Sequence, residues 1–259
     1  MTTDPLRVTY IGGPTAIVEI AGVRLLTDPT LDPAGTEYAT PAYTLRKTQT
    51  PSLAPTALGH IDAVLLSHDH HFDNLDHAGR AVMTDVGIAY TTEAGAERLG
   101  GGAIGLQPWE SADFTASSGR GIRITATPGR HGPPSGDRGP VIGFVLAGLD
   151  SAGPVTYVSG DTVWYEGVQE VGRRFDVGVA ILNLGAAKVA VAGPDPLTFT
   201  AADAVRLAEA WPNTLVVPLH FEGWEHFSEG RTEIDDAFAA AGLSARLRWL
   251  KPGQPTTLS

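Results

Sequence analysis

The chain has 259 residues, 42% of them apolar and 18% charged, so it can bury a substantial core and is neither disordered nor fibrous. A formal net charge of -11 with no basic run argues against a nucleic-acid partner. The absence of cysteine removes disulfides, thiolate nucleophiles and cysteine-type zinc sites, so any metal must be held by His, Asp or Glu.

The opening MTTDPLRVTYIGG lacks a charged segment followed by a long apolar one, and no later stretch approaches about 18 consecutive apolar residues. The expectation is a cytoplasmic protein without membrane contact. Residues 7–11, 16–20 and 23–26 are strand-like runs separated by Gly12-Gly13-Pro14 and Ala21-Gly22, which predicts an antiparallel meander. A fourth run, 63–66, ends in a polar cluster, and 93–99 has helical spacing. The three glycines at 100–102 lack the lysine of a phosphate loop and suit a helix cap and turn. Further Val/Ile-rich runs at 122–125, 141–146, 155–158, 177–182 and 215–219 predict strands, and 201–210 and 233–241 predict helices. No linker separates two halves, so the expectation is one mixed α/β domain over residues 1–259 with two sheets.

Polar residues recur just beyond the apolar runs: Asp28 after VRLLT, His68 after AVLLS, Asp161 after VTYVSG and His220 after LVVPL. Ligands of α/β sheets gather beyond the carboxyl ends of strands, so residues distant in sequence can converge there. The densest cluster is SHDHHFDNLD at 67–76, with three His and three Asp. His68 and His70, two apart on extended chain, can turn both imidazoles to one ion, and Asp73 follows from the next turn. Without a cation, such a cluster at the end of a buried strand would crowd together groups that are expensive to desolvate.

With YIGGPTAIVEIAGVRLLTDPT, SHDHHFDNLD, TPGRH, VSGDT and PLHFEGW in this order, the chain resembles the metallo-β-lactamase superfamily over most of its length. That family's signature is HxHxDH followed by a lone His, an Asp and a final His. The resemblance implies an αββα four-layer sandwich with metals at one edge between the sheets. It implies that His68, His70 and His131 hold a first metal, that Asp161 bridges two, and that Asp73 and His220 serve a second. Here one residue is inserted and Asn74 stands where the motif's last His would be. An amide oxygen is a weaker zinc ligand than imidazole and suits harder ions such as Mn2+ or Mg2+, whereas His71, the extra residue, replaces it if the loop bulges. The LTDP element at 26–29 and the DNLD ending look most like the L-ascorbate-6-phosphate lactonase-like branch, which also includes relatives of N-acylphosphatidylethanolamine-hydrolysing phospholipase D.

The expected function is metal-dependent hydrolysis of an ester, lactone or phosphoester of a small molecule, using one or two divalent ions, Zn2+ or Mn2+, that activate water. Asp73 would orient the water and accept its proton, and His226 would act as acid or donor, against the plainer reading of an ordinary loop histidine. Asp28 is either a turn residue or an acceptor that orients a ligand histidine. His60 and His77 match no motif position and are expected to be structural or exposed. The alternative is a binding protein of the same fold that has lost hydrolysis, motivated by Asn74. A small-molecule substrate is the expected partner, with a homo-oligomer left open.

Overall fold

The computed structural model describes residues 5–40 and 42–258. The opening runs form the expected meander: β1 (Leu6–Gly12), β2 (Thr15–Ile20) and β3 (Val23–Thr27) pair antiparallel in succession. A short hairpin of β4 (Glu37–Ala39) and β5 (Thr44–Arg46) follows. Then come β6 (Ala63–Leu65), α1 (His77–Val86), β7 (Ala89–Thr92), α2 (Glu93–Leu99) and β8 (Ala103–Leu106), whose strands add in parallel beside β3. The chain's last strand, β15 (Pro255–Leu258), returns to pair with β1 and completes a seven-stranded sheet.

The second sheet has six strands. β9 (Ser111–Thr115), β10 (Gly121–Pro128) and β11 (Ile142–Gly148) are antiparallel, and β11 pairs antiparallel with β12 (Val155–Val158). β13 (Val177–Asn183) and β14 (Leu215–Leu219) then add in parallel, connected through α3 (Glu166–Arg174) and α4 (Ala201–Ala210), and α5 (Arg231–Ala240) packs on α4. The nine strands and three helices expected from the sequence all form. Helix α5 starts at Arg231, two residues before the expected 233, where the Glu233 carboxylate accepts the Gly230 N–H at 2.8 Å.

Strand alternation explains the layers. On β6, Ala63 and Leu65 face the core between the sheets, while Val64 and Leu66 join Ile17, Leu26, Leu75 and Met83 in a second cluster under α1. Both faces of this strand are covered, hence its unbroken apolar run. The second sheet is likewise covered on its outer side by α3 and α4. The order is helices, sheet, sheet, helices. No helix among the described residues is long and apolar enough to cross a membrane.

One topological fact positions the chemistry. β10 is antiparallel to β11, which is antiparallel to β12, so β10, β12, β13 and β14 all end at the same edge of their sheet. That edge is stitched to the ends of β1 and β6 by Ile142 N–H to Ser67 O (3.1 Å) and His220 N–H to Gly13 O (2.8 Å).

Candidate metal centre

Beyond the end of β6, Ser67 and His68 are buried, and the following turn carries His70, His71 and Asp73. His131 follows β10, Asp161 follows β12, and His220 follows β14 with its backbone in the left-handed region at φ 55. A non-glycine residue held there is strained, and such strain is tolerated where surrounding structure fixes a side chain for use.

Three imidazole nitrogens converge. His71 Nδ1 lies 3.0 Å from His68 Nε2 and 3.2 Å from His131 Nε2. His131 Nδ1–H donates to Leu197 O at 2.9 Å, which leaves the Nε2 lone pair facing inward. His68 Nδ1 is hydrogen bonded to Ser67 Oγ at 2.9 Å, so its Nε2 faces the same point. Asp161 spans the next gap: Oδ2 lies 3.8 Å from His131 Nε2, and Oδ1 lies 3.3 Å from His220 Nδ1. His220 Nε2 is in turn 3.6 Å from Asp73 Oδ2, and His226 Nε2 bonds that oxygen at 3.0 Å.

These groups form three compact sets whose ligand atoms lie within 4.8 Å of one another: His68, His70 and His71; His68, His131 and Asp161; Asp73, Asp161 and His220. The donor set fits a divalent cation. Asp161 and His220 are fully buried, yet Asp161 Oδ2 and both ring nitrogens of His220 have no hydrogen-bond partner. Unpaired buried polar atoms are costly, and a cation held between Asp161 and one ring nitrogen of His220 would relieve part of that cost. For a tetrahedral ion with N ligands at about 2.0–2.1 Å, nitrogens stand roughly 3.4 Å apart, close to the spacing of the three imidazoles.

His68, His71 and His220 are held neutral, as metal ligands must be. Burial, reinforced by neighbouring imidazoles, pushes His68 well below its ordinary value and His71 down to about 3, and burial also lowers His220. Burial alone would raise Asp73. The hydrogen bond from His226 and the surrounding imidazoles outweigh it, leaving Asp73 well below the usual carboxylate range.

The structure distributes the two motif positions left open by the sequence. His71 turns inward, between His68 and His131. Asn74 is fully buried, with Nδ2 aimed at Asp28 Oδ2 (3.4 Å) and Ser67 Oγ (3.5 Å). His70 stays beside His68 and His71, but its Nε2–H donates to Arg138 O at 2.8 Å, leaving Nδ1 as the nitrogen it can offer an ion. Asp28 accepts the Ser67 N–H at 2.6 Å and makes no hydrogen bond to an imidazole among the described residues, so it holds the turn that carries His68. Burial raises its carboxyl to about 8. His60 and His77 are exposed, and Trp224 is packed in a small apolar cluster with Tyr38 and Leu45. Asn183, which the sequence reading passed over, donates Nδ2–H to Asp161 Oδ1 at 2.8 Å and so orients that carboxylate. It ends the apolar strand VGVAILN, the same placement that singled out Asp161 and His220.

Comparison with known proteins identifies the family. Residues 23–221 match the family described as "Beta-lactamase superfamily domain". The "UPF0173 metal-dependent hydrolase PAE2160" of Pyrobaculum aerophilum is 28% identical over 253 residues, covering 96% of this chain and 98% of that protein. A solved "possible metal-dependent hydrolase" from Veillonella parvula superposes with a TM-score of 0.85 at 23% identity, covering 98% of this chain and all of the other. An "isothiocyanate hydrolase from Delia radicum gut bacteria" superposes with a TM-score of 0.83 at 23% identity, over 97% of this chain and 99% of that one. With the family signature spanning both sheets and the metal-ligand cluster, the chain belongs to the beta-lactamase superfamily, has the metallo-β-lactamase fold and stands among its metal-dependent hydrolases.

Proposed function

We propose that this metal-dependent hydrolase cleaves an ester, lactone or phosphoester bond of a small molecule by adding water at the His68–His131–Asp161–His220 edge. The observation that supports it best is the coincidence of three converging imidazole nitrogens with the unpartnered atoms of Asp161 and His220. His68, His71 or His70, His131 and Asp161 would hold a first ion, and Asp73, Asp161 and His220 a second. Zn2+ suits the imidazole-rich first set, and Mn2+ is compatible with the more carboxylate-rich second. A bound divalent ion supplies acidification of water and polarisation of a carbonyl or phosphoryl oxygen.

The chain's own residues do the remaining work. Asp73, ionised and close to His220, orients the attacking water and takes its proton. His226 donates its Nε2–H to Asp73 Oδ2 and so steadies that carboxylate, and the proton that Asp73 takes from water is the one returned to the departing group. Asn183 and Leu197 O fix Asp161 and His131 before substrate arrives. The resemblance to the lactonase-like branch puts lactones and phosphoesters first among the substrates to try.

Protein reconstituted with Zn2+ or Mn2+ should turn over at least one of a neutral aryl ester, a γ- or δ-lactone and an aryl phosphodiester. Removal of the metal by a chelator and dialysis should abolish that turnover, and added metal should restore it. Turnover surviving verified demetallation would overturn the reading. Stoichiometric metal with no turnover on any class would favour instead a binding protein of the same fold, the reading that Asn74 motivates.

A further inference from the structure

The second ligand set is assembled from two separate stretches of chain: Asp73 comes from the turn after β6, and His220, with its neighbour His226, comes from the loop after β14. The segment carrying β4 and β5 touches both. Tyr38 stacks on Phe72 of the turn at 4.7 Å and meets Trp224 of the loop at 5.6 Å, ring centre to ring centre. Lys47 Nζ donates to Asp76 Oδ2 of the turn at 2.9 Å and stands 5.3 Å from the centre of the Trp224 ring. Main-chain bonds fasten the same segment to the loop, from Thr48 N–H to Gly223 O at 2.8 Å and from Glu225 N–H to Arg46 O at 3.1 Å, with Lys47 opposite Trp224 in an antiparallel bridge.

Lys47 is 5% exposed and Asp76 1%, so this ion pair is out of water. A buried ammonium is tolerated only when paired, and removing one partner leaves the other charge uncompensated. The pair is also built into a network. Asp76 Oδ1 accepts the Gly79 N–H at 2.8 Å at the start of α1, and Oδ2 accepts the Asp32 N–H at 2.7 Å beside Lys47. Asp32 in turn accepts the Tyr38 hydroxyl at 2.7 Å and the His77 N–H at 3.1 Å. Asp73 lies three residues before Asp76 in this anchored turn, and its Oδ2 stands 3.0 Å from His226 Nε2 and 3.6 Å from His220 Nε2.

We infer that Lys47 is a positioning residue for the second metal set: held by Asp76 of the turn and seated on Trp224 of the loop, it fixes the distance from Asp73 to His220 and His226. This rests on the metal-dependent reading above. An apolar side chain of similar length would fill the space without holding Asp76, whose carboxylate would then move toward solvent and take the turn with it. The first set is anchored elsewhere, His68 through Ser67 Oγ and His131 through Leu197 O, so the change should fall on the second.

Titration of the metal-free proteins with Co2+ against a competing chelator, following visible absorption and bound equivalents, tests this. The binding step that Asp73→Asn abolishes marks the second set. In Lys47→Met that step should weaken at least about tenfold relative to the other, the range for residues that orient ligands, and Lys47→Arg, which keeps a charged donor, should recover part of the loss. Thermal unfolding of the metal-free proteins measures the structural cost separately, and should Lys47→Met fail to fold, Lys47→Gln carries the comparison. Equal weakening of both steps, or an unchanged second step in folded protein, would overturn the role of Lys47, as would a wild type with no step that depends on Asp73. Selective weakening of the second step in a protein that turns over no ester, lactone or phosphodiester would instead count against the hydrolytic reading alone.

Discussion

Asp161→Ala is expected to cost roughly a thousandfold or more in kcat/KM and to lower bound metal by at least one equivalent, because this carboxylate serves both metal sets. Its two oxygens face different partners, Oδ2 toward His131 and Oδ1 toward His220 and Asn183. Removing them leaves His220 with Asp73 in place of two anionic neighbours and opens one corner of each set. The fold should survive, because Asp161 lies beyond the end of β12 and is not a member of the apolar core between the sheets. Asn183→Ala tests orientation separately from ligation. Keeping the carboxylate but not its anchor, it should cost about 10- to 100-fold, the usual range for partners that orient ligands. Metal analysis and steady-state kinetics on the two variants check the ordering, and equal losses would place the importance of Asp161 in packing.

His71→Ala and Asn74→His are expected to differ sharply. With His71 Nδ1 between His68 and His131, His71→Ala removes a nitrogen from the convergent group and should weaken first-site zinc by about two orders of magnitude, of the order of one lost ligand contact. Asn74→His should not add a ligand. Its side chain is fully buried against Asp28 and Ser67, so a larger ring there must push on the turn that carries His68, and destabilisation without extra metal is the expected result. His70→Ala is the informative third variant, since His70 offers only Nδ1 while Nε2 is held by Arg138 O. Zinc titration with a competing chelator ranks the three. A gain of second-site zinc in Asn74→His, with no loss in His71→Ala, would reverse the assignment of the inserted residue.

Much of this architecture was legible because both sheets are buried on both faces, and strands so placed must be continuous apolar runs. The signal fades in two ways. β7 is fully buried yet reads AYTT, without Val or Ile, and β9, an edge strand with alternating exposed residues, reads SADFT. β15 is PTTL and pairs with β1 from the far end of the chain, a long-range partnership that no local pattern encodes. Helix α3 carries two glycines and buries only Val168 and Val171, and α1 begins inside the polar cluster itself.

At the centre, residue types and their place after strands were readable, but directions were not. Asp76, one of the clustered acids, turns away to cap α1 through the Gly79 N–H and to pair with buried Lys47 at 2.9 Å. An inserted residue gives the turn two outcomes, His71 inward or Asn74 inward, and in the structure His71 faces the cluster while Asn74 packs on Asp28. The Gly/Pro-rich segment around Arg138 takes its course from main-chain hydrogen bonds to His70 and His131, which nothing in its sequence neighbourhood marks.

The most direct test is anomalous diffraction from crystals of the metal-loaded, active protein, collected on either side of the absorption edge of the bound metal. The account predicts a peak about 2.0–2.1 Å from both His68 Nε2 and His131 Nε2 with His71 or His70 completing it, and any second peak against Asp73, Asp161 and His220, roughly 3.5–4 Å away. Active crystals with no anomalous peak among these residues, or with the metal bound elsewhere on the chain, would contradict it.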